Sequence, residues 1–385
     1  MKISQVRVDH LPTQEELGPL VALGPQLLLA FGAVERLDEP GLVAALRAAL
    51  PGVAMAGCST AGEIGDEGVS DGTLVLTAVH FDRPVLRVVQ TELQGMDDSL
   101  AAGGRLAAQL VPSLGGQPLR HVLVLGQGVA INGSALIEGL RRGLGTEVPV
   151  SGGLAGDGGR FTRSLTLSGE GVSERQLVAL GFHDAGLVVR HGSFHGWQPF
   201  GPARRVTRSV GNVLFELDGV PALSVYKQYL GEYAAGLPGT GLLFPFEMLS
   251  QDHEAVGLIR TILGVDEEQG SLVLAGDIVE NGFLRLMHAS TDSLVDGAEV
   301  AAKTLFNVGP VAGDKLALLV SCVGRKLVMG ARVDEEVEAV ADVIGSHAHV
   351  TGFYSNGEIS PELGTLTCHL HNQTMTITLL AEADA

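Results

Sequence analysis

Apolar runs alternate with amphipathic segments along this chain, and the same order of segments recurs three times. In the first copy, apolar runs at 26–31 and 53–56 flank the segment 41–50. That segment has apolar side chains at the spacing of one helix face, namely at Leu42, Ala45, Leu46, Ala49 and Leu50. The pattern predicts a strand, a helix and a second strand, followed by a glycine-rich turn.

The second and third copies repeat this order. The second has a strand at 121–125, a glycine-rich loop at 126–133, a helix that ends near Gly145, and a strand at 148–150. The third has a strand at 315–320, a helix at 334–344 and a strand at 349–351. Strands that alternate with helices are typical of the α/β class, so we expect mixed β-sheets covered by helices.

The turns that end the first and third copies are close in sequence. Residues 57–64 read GCSTAGEI and residues 352–359 read GFYSNGEI, and both fit G-x-x-x-x-G-E-I. Because the same elements precede both turns, the pattern indicates internal duplication of a strand-helix-strand-GxxxxGEI unit. We therefore expect two related domains, 1–205 and 206–385. The Gly- and Pro-rich stretch 231–245 is predicted to be a loop or lid.

Charge and composition narrow the classes of partner and the compartment. The formal net charge of -19 argues against nucleic acid and anionic membranes, because phosphate groups are bound by clustered Lys and Arg. No apolar run approaches the roughly 20 residues of a membrane span, and the N-terminus lacks the apolar core of a signal peptide. The cysteines Cys58, Cys322 and Cys368 are widely spaced, as in a reducing compartment. We expect a cytoplasmic protein.

The three glycine turns each place a carboxylate beside a glycine, at Glu63, Asp157 and Glu358. Such a carboxylate can bind a ligand ammonium or hydroxyl group; the alternative is that Gly-acid pairs are ordinary turn chemistry. A nucleotide-phosphate loop is excluded, because it needs Lys after the second glycine, where this chain has Glu. The loop 126–133 departs from the dinucleotide pattern and favours a helix N-terminus that offers Asn132 and Ser134 to a small polar ligand.

Thiol and imidazole groups supply two further possibilities. Cys58 would need a neighbouring histidine to act as a nucleophile, and the sequence places none beside it. A cysteine hydrolase that uses Cys58 is the alternative function. The histidines, among them His183, His191 and His288, could be ligands, but they have no metal-site spacing and are ranked only by their apolar context.

Several motifs resemble the FIST family. GCSTAGEI, INGSAL at 131–136 and SGGLAGDGG at 151–159 resemble its N-terminal half, and DGVPALSVY at 218–226, LLVSCVGRKLVMG at 318–330 and GFYSNGEISP at 352–361 resemble its C-terminal half. The resemblance implies a sensory module for a small ligand such as an amino acid, with no established enzyme activity. It also implies kinship with NosP-type members, haem proteins that sense nitric oxide and regulate a histidine kinase in trans.

The sequence shows no kinase or receptor segment beside the two FIST-like halves. We therefore expect the protein to signal to a separate partner, such as a histidine kinase or a cyclic-di-GMP enzyme, with no nucleic-acid or membrane partner. The oligomeric state is left open by the sequence.

Two ligands suit this expectation. For an amino acid, the ammonium meets Glu63 or Glu358 and the carboxylate meets Arg260 or Arg325, with an internal ion pair at Arg325 as the alternative. For haem b, which the resemblance implies, one neutral histidine ligates the iron in a dry cavity; the sequence does not identify it, and His183, His191 and His288 are the candidates. We expect the two GEI turns to face one cleft. The expected ligand-binding residues are Cys58, Ser59, Thr60, Glu63, Asn132, Ser134, Asp157, Arg260, Arg325, Tyr354, Ser355, Asn356, Glu358, His371 and Asn372.

Overall fold

The computed structural model describes residues 1–83, 86–183, 186–278, 281–309, 311, 313–362 and 364–383. The strands are, in chain order, β1 (Lys2–Val8), β2 (Leu27–Gly32), β3 (Ala54–Ser59), β4 (Glu63–Gly65), β5 (Gly68–Ser70), β6 (Leu74–His80), β7 (Leu86–Glu92), β8 (His121–Gly126), β9 (Val150–Leu154), β10 (Thr166–Ser168), β11 (Gly171–Ser173), β12 (Gln176–Phe182), β13 (Leu187–Phe194), β14 (Gln198–Pro199), β15 (Arg204–Val210), β16 (Val213–Leu217), β17 (Val220–Pro221), β18 (Phe246–Leu249), β19 (Ala255–Arg260), β20 (Ile262–Asp266), β21 (Ser271–Leu274), β22 (Phe283–His288), β23 (Lys315–Cys322), β24 (Ala348–Ser355), β25 (Gly357–Pro361), β26 (Cys368–His371) and β27 (Met375–Glu382). The α-helices are α1 (Gln14–Ala22), α2 (Val34–Leu37), α3 (Leu42–Ala49), α4 (Ser99–Leu110), α5 (Gly133–Leu144), α6 (Ala222–Leu230), α7 (Thr291–Thr304), α8 (Val323–Met329) and α9 (Asp334–Ile344).

Three six-stranded sheets share one strand order. Each has an edge strand, an antiparallel neighbour, a parallel pair and a terminal two-stranded hairpin. The orders are β1-β6-β2-β3-β10-β11 in the first sheet, β7-β12-β8-β9-β25-β26 in the second and β13-β27-β23-β24-β4-β5 in the third. The parallel pairs are β2–β3, β8–β9 and β23–β24. Each sheet therefore corresponds to one of the three copies that the sequence pattern predicts.

The terminal hairpin of each sheet comes from a different copy. The β4–β5 hairpin of the first copy completes the third sheet, β10–β11 of the second copy completes the first sheet, and β25–β26 of the third copy completes the second. The exchange is cyclic, so backbone hydrogen bonds join the N-terminal and C-terminal parts of the chain. The two predicted domains are interlocked through their strands.

The three sheets enclose one apolar core between their inner faces. On β2, Leu27, Leu29 and Phe31 contribute to this central core, whereas Leu28 and Ala30 pack against the helices outside. Burial on both faces explains the continuous apolar run of this strand. Helices α1 to α3 cover the first sheet, α4 and α5 the second, and α7 to α9 the third.

Helix α5 shows how local sequence sets an element. It begins where Asn132 Oδ1 accepts a hydrogen bond from the Ala135 nitrogen at 3.0 Å, and it ends at Gly145, as the pattern predicts. It packs closely on α4, because a side-chain carbon on Gly139 would lie 2.0 Å from the carbonyl oxygen of Leu100. Glycine at this contact lets the two helix backbones approach.

The fourth sheet lies in the chain between β13 and α7, and we call it the inserted sheet. Its path is β19-β18-β22-β15-β16-β21-β20, with β14 paired to β22 and β17 paired to β16. Helix α6 packs on it through Tyr226, which contacts Phe246. A cluster of Trp197, Met287 and Leu294 joins it to the third copy.

The α/β class with mixed sheets and covering helices is confirmed. The predicted helix 334–344 has the bounds of α9, and the predicted strands overlap β2, β3, β8, β23 and β24. The pattern does not predict α1, α4, α7 or α8. The expected domain boundary at 205/206 falls within β15. In the part of the chain that the structure describes, no helix is long and apolar enough to cross a membrane.

Candidate functional site

The three glycine turns meet at the centre of the molecule and bond to one another. The fifth residue of each turn, Ala61, Gly156 or Asn356, donates a backbone hydrogen bond to a neighbouring turn. The nitrogen-to-oxygen distances are 2.7 Å from Ala61 to Tyr354, 2.8 Å from Gly156 to Ser59 and 3.1 Å from Asn356 to Leu154. We call this ring of residues 57–64, 152–159 and 352–359 the central junction. The GEI turns do approach each other, but they contact each other directly instead of facing one cleft.

Glycine at the first position of each turn is required by this geometry. A side-chain carbon on Gly57, Gly152 or Gly352 would lie 2.0, 1.9 or 1.8 Å from a carbonyl oxygen of the parallel neighbouring strand. No side-chain movement relieves a clash with backbone. The repeated glycine is therefore part of the scaffold.

Glu63 ties its turn to the strand that follows. Its Oε1 accepts a hydrogen bond from Thr60 Oγ1 at 2.5 Å, and its Oε2 accepts from the nitrogen and Oγ1 of Thr73 at 3.0 and 2.8 Å. Burial raises the pKa of this carboxyl group, although the three hydrogen bonds act to lower it. The carboxylate is occupied by internal donors.

Glu358 has the equivalent partners in the third copy. It accepts from Ser355 Oγ at 2.7 Å and from the Thr374 nitrogen at 3.2 Å. Burial raises the pKa of its carboxyl group to about 8. The expectation that Glu63 or Glu358 binds a ligand ammonium is corrected. In both copies the glutamate accepts hydrogen bonds from its own turn and from the following segment, as in the alternative that Gly-acid pairs are ordinary turn chemistry.

Arg325 and Tyr354 belong to a buried ion-pair network. Arg325 donates from Nε and Nη2 to Glu336 Oε2 at 3.1 and 2.7 Å, and its remaining nitrogen bonds a backbone carbonyl. Tyr354 Oη and Ser321 Oγ donate to Glu336 Oε1 at 2.6 and 3.0 Å. The expectation that Arg325 binds a ligand carboxylate is corrected, because its fork already binds the carboxylate of Glu336.

Cys58 and Ser59 are enclosed in the central junction. Cys58 packs in the central core, and burial raises the pKa of its thiol well above the ordinary value. Ser59 Oγ donates to the Gly156 carbonyl at 2.6 Å and accepts from the Leu165 nitrogen at 2.8 Å. A neutral, enclosed thiol is not an available nucleophile, so the structure does not favour the cysteine hydrolase.

Asn132 and Asp157 shape two loops of the second copy. Asn132 caps α5, and Ser134 lies half-buried in the first turn of that helix. Asp157 accepts hydrogen bonds from the backbone nitrogens of residues 161–163 at 2.7 to 3.0 Å. Burial acts to raise its pKa, but these donors together hold it below the ordinary value. The loops 126–133 and 157–164 that they hold are the walls of the cleft described next.

A cleft of about 460 Å³ separates these two loops from the inserted sheet. On the far side lie β20 and residues 231–243, which form two 3₁₀ turns at Gly231–Gly236 and Gly239–Leu243. We call residues 231–243, which lie within the predicted loop or lid 231–245, the lid, and the cavity the lid cleft. Its lining residues are Met96, Gly128, Val129, Ala130, Ile131, Gly159, Arg160, Phe161, Pro238, Gly239, Leu242, Ile262 and Leu263. The walls are mostly apolar.

Two amides of the third copy hold the walls of the lid cleft. Gln373 Nε2 donates to the carbonyl oxygen of Leu242 in the lid at 2.8 Å. Asn356 Nδ2 donates to the carbonyl oxygen of Gly128 on the opposite wall at 3.2 Å. The second copy, the third copy and the inserted sheet therefore all meet at this cavity.

Four buried side-chain oxygens on chain segments near these walls have no hydrogen-bond partner among the described residues. They are Thr261 Oγ1, Asn356 Oδ1, Asn372 Oδ1 and Gln373 Oε1. Thr261 precedes the wall residue Ile262, and Asn356 and Gln373 bond to the walls through their amide nitrogens. Buried polar groups are nearly always paired, and an unpaired one costs about 1 to 3 kcal/mol. None of these four residues is among the lining residues of the cleft, and two of them, Asn356 and Gln373, hold its walls.

Two residues that line the lid cleft have a strained backbone conformation. Ala130 and Phe161 line the lid cleft with φ angles of 56° and 53°, and Gln373 behind it has φ 60°. A non-glycine residue in this left-handed region costs about 1 to 3 kcal/mol, and such strain clusters at ligand sites. Asp218, His253 and Asn281 have the same backbone conformation elsewhere in the described chain, so the strain is not confined to the cleft.

Arg260 and His371 lie near the unpaired oxygens. Arg260 donates from Nε to the Asp277 carbonyl at 3.1 Å and from Nη1 to the Leu370 carbonyl at 3.1 Å. His371 Nε2 lies 3.1 Å from the Ser360 carbonyl. Burial lowers the pKa of Arg260 to about 10 and that of His371 to about 4.

The haem-ligand candidates lie in unrelated places. His183 contacts a backbone carbonyl, and His288 lies on β22 beside Phe200. Both ring nitrogens of His191 are buried and have no partner among the described residues. The centre of its ring lies 5.1 Å from that of His121, and burial lowers the pKa of His191 to about 4. None of these three candidates lines the lid cleft. The residues of the lid cleft therefore do not fit a histidine-ligated haem.

The structure divides the predicted site residues into two groups. Arg260, His371 and Asn372 lie on chain segments near the lid cleft, together with Asn356, which also belongs to the central junction. Asn132 and Asp157 belong to the loops of the cleft, and Ser134 lies in the first turn of α5 beside them. The remaining eight lie at the central junction or in the ion-pair network beside it. Sequence reasoning misses Thr261, Gln373 and the apolar walls. Asn356 does have a sequence signal. The equivalent residues of the other two turns are Ala61 and Gly156, so only this turn has an amide side chain at that position.

The fold and the site define an α/β protein of three strand-exchanged sheets with a ligand-sized cleft beside an inserted sheet. The FIST N domain matches residues 26–220 and the FIST C domain matches residues 222–361. The chain therefore belongs to the FIST family, whose domains are associated with sensory signalling and small-ligand binding. The two matches meet near residue 221, and the boundary at 205/206 stays a prediction.

Two further similarities are more distant. An uncharacterized protein of Methanocaldococcus jannaschii is 30% identical over 160 residues, which is 38% of this chain and 31% of that protein. The chain thus matches about a third of the length of this relative. A crystal structure of cyanuric acid hydrolase from A. caulinodans aligns over 99% of both chains with 10% identity and a TM-score of 0.36. A likeness of that size is no evidence of a shared activity.

Proposed function

We propose that this protein is a cytoplasmic sensory module that binds a small ligand in the lid cleft and signals to a separate protein. Family membership supports the sensory role. The observation that carries the site is the apolar lid cleft, whose walls are held by Asn356 and Gln373, two side chains that each have one unpaired oxygen. A ligand that supplies donors to these oxygens removes the cost of leaving them unpaired.

The first ligand class that we propose is an amino acid with an apolar side chain. The apolar walls suit that side chain, and an ammonium group offers three donors to the oxygens of Asn356, Asn372 and Gln373. In this proposal the neutral oxygens bind the ligand ammonium, which the sequence assigns to Glu63 or Glu358. The proposal thus keeps the ligand class and moves it to different residues.

A thermal-shift panel of the twenty amino acids on the full chain tests this proposal. A ligand at a hundredfold excess over its Kd should stabilise the protein by about 2.7 kcal/mol. Leu263→Trp should abolish the shift, because it fills the cleft, whereas Val21→Trp on α1 should not. Both positions are 44% exposed, so the two variants are matched. No shift with any amino acid, or an equal shift in both variants, would contradict the proposal.

Haem b with nitric oxide sensing remains an alternative ligand hypothesis. The structure supplies no arrangement that favours it, since the lining of the lid cleft contains no histidine. A visible spectrum after haem reconstitution decides the matter for this chain, and absence of a Soret band ends the hypothesis.

The proposed partner is a signalling enzyme such as a histidine kinase. The expected result is a change in kinase autophosphorylation rate on addition of this protein, which depends on ligand in the wild type and not in Leu263→Trp. A rate that the ligand does not change in the presence of the wild-type protein would remove the kinase as partner.

A further inference from the structure

The hairpin β4–β5, which the first copy gives to the third sheet, is joined to that sheet by few backbone pairs. Glu63 and Ile64 of β4 are paired with Phe353 and Gly352 of β24, whereas the strands β10 and β25 of the other two exchanged hairpins each form three such pairs. Ile64 is buried in the apolar cluster of the third copy. The turn at 65–68 lies beyond these pairs, so its attachment depends on side chains.

Asp66 attaches this turn to the third copy. Its Oδ1 accepts a hydrogen bond from the Val350 nitrogen at 2.7 Å, and its Oδ2 lies 2.6 Å from Nδ1 of His349. The Asp66 nitrogen donates to Oε1 of Gln5 at 2.8 Å, and Nε2 of Gln5 donates to the Val350 carbonyl at 2.9 Å. The turn, β1 and β24 therefore meet at this carboxylate.

His349 is the member of this contact whose charge ordinarily changes near neutral pH. The hydrogen bond from Asp66 raises the pKa of His349, and the charges of Asp66 and Asp314 add to that effect, whereas partial burial acts to lower it. These two carboxylates, one in the hairpin turn and one before β23, are the charged groups that face the imidazole. The contact is an ion pair when His349 is protonated and loses that charge when His349 is neutral.

We propose that Asp66 and His349 form a proton-dependent latch that holds the exchanged hairpin on the third sheet. A charge-assisted hydrogen bond closes the latch when the imidazole is protonated, and loss of the proton weakens it. Because the attached hairpin favours the protonated form, the added stability is complete below pH 6.5 and is lost as the pH rises through the higher pKa of the attached state. Since β4 begins at Glu63, the latch acts on a strand that leaves the central junction.

Hydrogen–deuterium exchange of the full chain at pH 6 and pH 8 tests the latch, with rates corrected for the intrinsic effect of pH. The hairpin β10–β11, which contains no histidine, is the internal reference. Relative to it, the protection of residues 63–70 should fall at pH 8 by up to about fivefold, the effect of a partly exposed ion pair. His349→Gln should remove this dependence on pH. His347→Gln should retain it, because His347 is 78% exposed and lies 3.9 Å from Asp314.

Titration of the ring protons of His349 by NMR is the second measurement, with the signal assigned by its loss in His349→Gln. The midpoint should lie above pH 6.5 in wild type and should fall in Asp66→Asn, which removes the carboxylate. A wild-type midpoint at or below 6.5, or equal relative protection of the hairpin at pH 6 and pH 8, overturns the latch. Both of these results come from wild type, so they decide even if a variant does not fold. The latch does not involve the lid cleft, so its failure leaves the proposed ligand binding unchanged.

Discussion

The central junction and the lid cleft contain the same kinds of side chain in opposite states. At the junction, the carboxylates of Glu63 and Glu358 have donors from their own turns and the strands that follow. Near the cleft, four side-chain oxygens have no partner among the described residues. The two glutamates of the junction thus have their partners without a ligand, whereas these oxygens, one of which belongs to the junction residue Asn356, do not. A repeated motif can be a scaffold requirement, and the function then lies where the repeats differ.

Breaking the ion pair beside the junction should have the largest effect. Glu336→Ala leaves the buried guanidinium of Arg325 without a carboxylate, which should cost about 3 to 5 kcal/mol of unfolding free energy. Glu335→Ala is the control, because Glu335 pairs with Arg332 at the surface and its loss should change little. Chemical denaturation measures both. Equal midpoints for the two variants would show that the network does not stabilise this region.

Adding one methyl group at the junction should have the next largest effect. A side-chain carbon on Gly156 would lie 2.5 Å from the Ala61 nitrogen and 2.9 Å from the Tyr354 oxygen, so Gly156→Ala should cost about 3 kcal/mol. Gly104→Ala in α4 meets nothing within 4 Å and should instead stabilise by about 0.5 to 1 kcal/mol. Opposite shifts of the denaturation midpoint are expected. A stable Gly156→Ala protein would mean that the junction is looser than its hydrogen bonds indicate.

Glu358 should make stability depend on pH. Its pKa is about 8 in the folded protein and near 4.5 when unfolded, so between these values only the folded state keeps the proton. Unfolding free energy should therefore fall as pH rises from 4.5 to 8, by up to about 1.4 kcal/mol per pH unit from this group. Glu358→Gln should remove that slope, and the surface variant Glu362→Gln should retain it. Denaturation at pH 5, 6 and 7.5 measures the slope, and an unchanged slope in Glu358→Gln would assign the titration elsewhere.

The sequence predicts the fold well because short-range periodicity decides it. The stripe in α3, the cap of α5 at Asn132 and the bounds of α9 all follow from residues close in the chain. The cyclic exchange of hairpins is not predictable in this way, since a hairpin has the same sequence pattern whichever sheet it joins. The cleft depends on that exchange, because it assembles Gly128, Leu242 and Gln373 from distant parts of the chain. The sequence therefore identifies the polar residues but assigns several of them to the wrong place.

One substitution made in both regions gives the smallest and sharpest test. Thr60 and Thr261 are almost equally buried, at 2% and 3% exposed. Thr60 Oγ1 donates to Glu63 and accepts from the Gly62 nitrogen, whereas Thr261 Oγ1 has no partner. Thr60→Val should therefore cost about 1 to 3 kcal/mol, and Thr261→Val should be near neutral or slightly stabilising without ligand.

With ligand the order of the two threonine variants should reverse. Thr261→Val should weaken the binding of the amino acid found in the panel, because it removes an acceptor at the cleft, while Thr60→Val should leave the affinity unchanged. Denaturation without ligand and thermal shift with ligand give the two readouts. If Thr261→Val is as destabilising as Thr60→Val and binds as tightly as wild type, its hydroxyl is paired within the free protein. The hydroxyl groups of Thr60 and Thr261 would then both be paired without ligand, and the junction and the cleft would not differ at these residues.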